Sequence, residues 1–139
     1  MEMTNHECYV SLEVAKLLKE AGFKWFINTT YRDSVLMCQG NLLCDNFNGK
    51  QYENAVRHEF FSAPTLEVAQ RWLREVKGIH LYVRPILDEH KYVVTVVVDD
   101  LMWGQVNDNN GTSKRFNTYE EAQEAGIKKA LEIILEKGE

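Results

Sequence analysis

The 139-residue sequence has only two prolines and three cysteines, no long apolar run, and no surplus of positive charge. Each shortage excludes something. The longest strongly apolar stretch, YVVTVVV at 92–98, is far too short to cross a bilayer as a helix, so no membrane association is expected. A net charge of −5 and a pI near 5.4 argue against a general nucleic-acid binder, which would carry a basic face. Cys8, Cys38 and Cys44 are odd in number and contain no C-x-x-C pair, which removes the common zinc and redox modules. Reduced, mostly buried thiols are therefore expected. The opening MEMTNHECYV has neither the basic nor the apolar region of an export signal, and cytoplasmic residence is the expectation.

Chemical signatures are equally scarce. No G-x-x-x-x-G-K-[ST] or G-x-G-x-x-G is present to cradle a phosphate, and no G-x-S-x-G or H-E-x-x-H to build a hydrolase. The run Asp108-Asn109-Asn110-Gly111 fails as a calcium loop, because Val106 and Asn117 fall where the first and last ligands belong. His6 and Cys8 with Cys38 and Cys44 match no common zinc spacing. No cofactor, metal or catalytic residue is assigned.

What is there is a repeated way of starting a helix. The figure [ST]-[LY]-E-[VE]-A occurs from Ser11, Thr65 and Thr118, at steps of 54 and 53 residues. Each hydroxyl suits an N-cap, accepting from an amide left unpaired in the first turn. Glu13, Glu67 and Glu120 follow at the positive end of the helix dipole. Gly22 and Gly78 stand where the first two helices should stop. In the third helix Tyr119, Ala122, Gly126, Ala130 and Ile133 form one stripe, widened by Ile127, Leu131 and Ile134, so this helix should lie across the core. Similar apolar segments, FKWFIN and IHLYVR, follow the two glycines and read as strands. The chain is thus expected to be a single domain over 1–139; the near-equal steps suit either repeated use of one favourable cap or an αβ pseudo-repeat whose halves would meet near 60–64.

The clearest strand pair is GIHLYVRPILDEHKYVVTVVVDD. Setting Leu87 opposite Tyr92 places Ile79, Leu81, Val83 and Leu87 with Tyr92, Val94, Val96 and Val98 on a core face. The other face then carries His80 opposite Asp99, Tyr82, Arg84 opposite Thr95, and Ile86. His80, Tyr82, Arg84, Thr95 and Asp99 are the candidate binding residues, because an aromatic, cationic and hydroxyl mixture suits a contact surface. Pro85 marks its strand as an edge or a bulge. Turns needing positive φ are expected at Asn48-Gly49 and Asn110-Gly111, the second joining a strand near Met102–Asn107 to one near Lys114–Phe116. Residues 29–62 should hold two or three short strands, and His58 and His90 read as surface residues.

The phrases SLEVAKLLKEAGF, SAPTLEVAQRWLREVKGIH and FNTYEEAQEAGIKKALEII resemble a group of small uncharacterised proteins common in gut Bacteroidetes genomes and their phages or mobile elements. That resemblance implies an accessory setting and brings no activity with it. From Thr65 the expected α-β-β-β-α order is similar to the double-stranded-RNA-binding domain. That family grips phosphate with lysines where this chain has Thr118, Tyr119, Glu120 and Glu121, so nucleic acid is not the expected partner. KYVVTVVVDD followed by FNTYEEAQEAGIKKALEII also resembles the HicB-like antitoxins in rhythm. It lacks their Pro-Gly and a DNA-binding segment, which implies shared architecture only.

The expectation is an α+β fold with a mainly antiparallel sheet and three helices, at least two of them on one sheet face. Three functions stay open: a small binding or regulatory accessory protein that contacts another protein; a small hydrolase or nucleotide-binding enzyme using His80 and Asp99 as an acid-base pair; and a structural homo-oligomer.

Overall fold

The computed structural model describes residues 8–38, 44–53, 58–98, 103–107 and 113–137. The chain is α+β, with four helices and two three-stranded antiparallel sheets among the described residues. It divides into two compact units, 1–67 and 68–139.

The first unit begins with α1 (Leu12–Ala21). Ser11 caps it as expected, its Oγ accepting from the Val14 amide at 3.2 Å. Gly22, at φ 98°, ends it: the Gly22 amide donates to Lys19 O and the Phe23 amide to Leu18 O. Of the two or three short strands expected in 29–62 there are three, β1 (Thr29–Arg32), β2 (Val35–Cys38) and β3 (Phe60–Ser62), ordered β2-β1-β3. Asp33 and Ser34 join β1 to β2 at φ 52° and 72°, a two-residue connection made without glycine. α1 packs against β3, with Val14, Ala15 and Leu18 buried.

Two expectations fail in this unit. FKWFIN forms no strand: Ile27 makes a single bridge to Asp45, and Phe26 is exposed. Asn48-Gly49 makes no hairpin either. It leads into a one-turn helix, α2 (Lys50–Glu53), the extra helix of the fold. Here the Asn48 side chain serves as a strut, donating to Phe23 O and accepting from the Ser62 amide, both at 3.0 Å. The cysteines are free, and exposed rather than buried as expected.

The boundary between the units falls in the first turn of α3 (Leu66–Val76). Ala69, Trp72 and Leu73 are buried, whereas Val76 is exposed in the last turn. Gly78 at φ 70° follows, and the Ile79 amide closes back on Leu73 O at 3.0 Å. Then come β4 (His80–Ile86), β5 (Lys91–Val97), β6 (Trp103–Gln105) and α4 (Tyr119–Lys137), the α-β-β-β-α order read from the sequence. The sheet order is β4-β5-β6. Asn107 and Ser113 bridge as the Asn110-Gly111 hairpin requires; the turn itself lies outside the described residues.

α4 packs on β4 and β5. Thr118 caps it, accepting from the Glu121 amide at 3.0 Å, while Glu121 reaches back to the Asn117 amide at 3.1 Å. Ala122, Ile127, Ala130 and Leu131 are buried in the stripe expected of them. Gly126 permits the close approach: a Cβ there would lie 2.7 Å from Val94 Cγ2. Gln123, also buried, donates from Nε2 to Gln70 Oε1 at 2.7 Å, tying α4 to α3.

In chain order each unit runs helix, hairpin, third strand. The third strand adds beside the first hairpin strand in one unit and beside the second in the other. The order of elements repeats apart from α2 before β3 and α4 after β6, and the sheet topology does not repeat.

Candidate functional site

The ladder of β4 and β5 pairs His80 with Val97, Tyr82 with Thr95, Arg84 with Val93 and Ile86 with Lys91. The expected alignment was two residues away. A slip of two keeps every side chain on its face, so the face is as expected while its partners differ. Thr95 lies opposite Tyr82, not Arg84, and His80 lies opposite Val97, not Asp99, which is outside the described residues. Leu87 causes the shift. It belongs to the four-residue turn 87–90, where His90 takes φ 55°, and it is 79% exposed rather than part of the core.

Backbone hydrogen bonds explain how Pro85 fits. The Tyr92 amide and carbonyl both bond to Phe116, at 2.9 and 2.8 Å, on the side away from β4. Pro85 opposite Tyr92 is therefore at a pair that exchanges no hydrogen bonds, and the amide it lacks would face outward. β4 is the end strand of its sheet, as the proline implied.

By alternation, Leu81, Val94 and Val96 face α4 and are buried, while His80, Tyr82 and Arg84 share the other face and are exposed. Tyr82 is 59% exposed at mid-strand. Thr95 is half-buried opposite it, and Val93, opposite Arg84 on the central strand, is buried. At the turn end of the ladder a shallow depression of about 200 Å³ is lined by Pro85, Ile86, Leu87, His90, Lys91, Tyr92 and Asn117. It does not include His80, and Asp99, the expected acid-base partner of His80, lies outside the described residues. The depression continues the exposed face through Ile86.

Two polar clusters in the first unit escaped the sequence reading. Asp33 sits in the β1–β2 turn and receives the Glu59 amide at 2.8 Å on Oδ1, with His58 Nδ1 2.6 Å from Oδ2. The Glu59 amide first, and His58 second, hold the Asp33 carboxyl below its usual value. Tyr52 donates to Asp45 Oδ2 at 2.7 Å, and its ring packs between Phe47 and Phe60, centroids 5.1 and 4.9 Å away. The bond to Asp45, helped by burial, pushes the Tyr52 hydroxyl up to about 12, and the same bond leads those that lower Asp45. The first ties the β1–β2 turn to the segment that leads into β3, across 25 residues of sequence, and the second ties α2 to Asp45, across 7. No sequence period links such positions, so only the fold brings them together.

Among the described residues no three His, Cys, Asp or Glu side chains come together to hold a metal ion. Among them too, no helix is long and apolar enough to cross a membrane. Comparison with family models, curated proteins and solved structures gives no match.

Proposed function

We propose that this chain is a non-enzymatic binding or regulatory protein that contacts another protein through the outer face of β4 and β5. The observation that carries the reading is Tyr82, 59% exposed at mid-strand with exposed His80 and Arg84 on either side and Thr95 directly across. Tyrosine and arginine are the residues most often found at the energetic centre of protein interfaces, since each offers a large contact area with a polar tip. The strand fixes the backbone beneath these side chains, so only the side chains are ordered when a partner arrives. α4 braces the opposite face of the same strands, which gives the surface a rigid backing. The acidic overall charge, with Glu120 and Glu121 at the start of α4, favours a protein over a nucleic acid as the partner.

The test is comparative capture from cells that express the protein. The double variant Tyr82→Ala/Arg84→Ala is set against Arg71→Ala/Glu75→Ala, which removes an exposed ion pair on α3. Loss of the same captured protein only with the strand variant supports the proposal. Equal recovery with both variants, while circular dichroism shows both folded, refutes it.

A further inference from the structure

The two end strands whose edges can be compared are treated differently. On β4 the edge is obstructed: Pro85 presents no amide there, and Leu81 O receives Gln70 Nε2 at 3.5 Å. On β2 nothing of the kind is found among the described residues. Among the described residues no strand pairs with its outer edge, and its sequence, VLMC, contains neither proline nor charge. Val35 is 58% exposed and Leu36 42% exposed, and Cys38 is exposed as well. Edge strands are normally blunted by lysine, proline or a bulge, because unpaired backbone groups template another strand.

Which groups β2 presents follows from its turn. Arg32 and Val35 flank a two-residue connection and so exchange hydrogen bonds with each other, as do Thr30 and Met37. The bonds on the far side of β1 agree: Thr29 O accepts from the Ala63 amide and the Asp33 amide donates to Glu59 O, both at 3.0 Å. The amides and carbonyls of Leu36 and Cys38 therefore point outward.

We infer that the open edge of β2 pairs with β2 of a second copy, antiparallel about a two-fold axis at Met37. Leu36 of each copy then exchanges two hydrogen bonds with Cys38 of the other, and the two Met37 residues face each other in the pair that exchanges none. A second copy is favoured because the strand is uncharged. Self-pairing sets a strand against its own sequence, and an uncharged strand brings no like charges face to face. The result is a continuous six-stranded sheet, β3-β1-β2 joined to its symmetry mate, with neither β2 edge left open. This surface is distinct from the β4–β5 face and does not depend on it.

Sedimentation of the full chain over a range of concentrations tests the inference, with Leu36→Lys and Leu36→Pro as edge variants and Tyr82→Ala as control. The lysines would face outgoing apolar neighbours and each other's field; the proline deletes only an outward amide. The expected result is a dimer for wild type and Tyr82→Ala, weakened at least tenfold in both edge variants, with far-UV circular dichroism unchanged. In a variant whose native cysteines are replaced by serine, Met37→Cys should form an intermolecular disulfide with oxidised glutathione, since the facing Cα atoms would be about 4.5 Å apart. A dimer that survives both edge variants refutes the inference. So does a wild-type chain that stays monomeric up to about 1 mM, a result that would leave an extended segment of another protein as the occupant.

Discussion

Gly126→Ala asks whether α4 rests on the sheet as closely as the structure has it. In an ordinary helix interior this change would stabilise the protein by about 1 kcal/mol, because alanine is the better helix former. Here the new Cβ would stand 2.7 Å from Val94 Cγ2 and 3.4 Å from Leu81 Cδ2, where carbon atoms prefer about 3.5–4.0 Å. Val94 is buried and β-branched, so it cannot swing aside without leaving its rotamer. Either the helix lifts or the valine is strained, and such overpacking costs about 1–3 kcal/mol. Overpacking should therefore win, for a net loss of about 1 kcal/mol. Urea unfolding followed by circular dichroism reads this directly. Val94→Ala alone should also destabilise, by about 2 kcal/mol for the buried methyl groups removed and the space left. In the double variant the new methyl occupies that space, so the two losses should fall short of additivity by about 1–2 kcal/mol. A stabilised Gly126→Ala protein, or strict additivity with Val94→Ala, would refute the packing described for α4.

Three further outcomes are expected. Gln123→Leu should lose about 1–3 kcal/mol by stripping Gln70 Oε1 of its donor, and Gln70→Leu/Gln123→Leu should lose less than the sum of the single changes; an additive denaturation cycle would contradict the pairing. Ser34→Gly should raise the thermal midpoint, since a non-glycine residue at φ 72° costs about 1 kcal/mol that glycine does not; a lowered midpoint would count against the turn. Because Asp33 and Asp45 are both held below 3.8, they stabilise the fold fully above that pH and progressively less as pH falls through their lowered values. Asp33→Asn/Asp45→Asn should therefore flatten the acid limb of a stability-against-pH curve, and an unchanged limb would contradict the assignment.

The helix starts were legible because their physics is local: a hydroxyl, a first-turn carboxylate and a stopping glycine lie within a few residues of one another. The faces of β4 and β5 were legible for a related reason, since alternation fixes which side each residue takes. Alternation says nothing about a slip of two, and Leu87, apolar but in the turn, drew the expected alignment the wrong way. FKWFIN misled because its apolar content resembles a strand while the chain there makes one bridge only. Asn48-Gly49 misled because a turn dipeptide can equally lead into a helical turn. The Asp33–His58 and Asp45–Tyr52 contacts could not be read at all: no helical or strand period links their positions, and only the folded chain brings them together. The candidate surface was legible as far as His80, Tyr82, Arg84 and Thr95 sharing one side; which of them stand opposite each other was not.

The central claim is that β4 and β5 pair so that Tyr82 and Arg84 turn away from α4. Nuclear Overhauser contacts between Hα atoms, strong only across pairs that exchange no hydrogen bonds, report this pairing directly. Cross-peaks linking Val83 to Val94 and Leu81 to Val96 are predicted. Cross-peaks linking Tyr82 to Thr95 or Arg84 to Val93 instead would contradict the backbone pattern on which that surface depends.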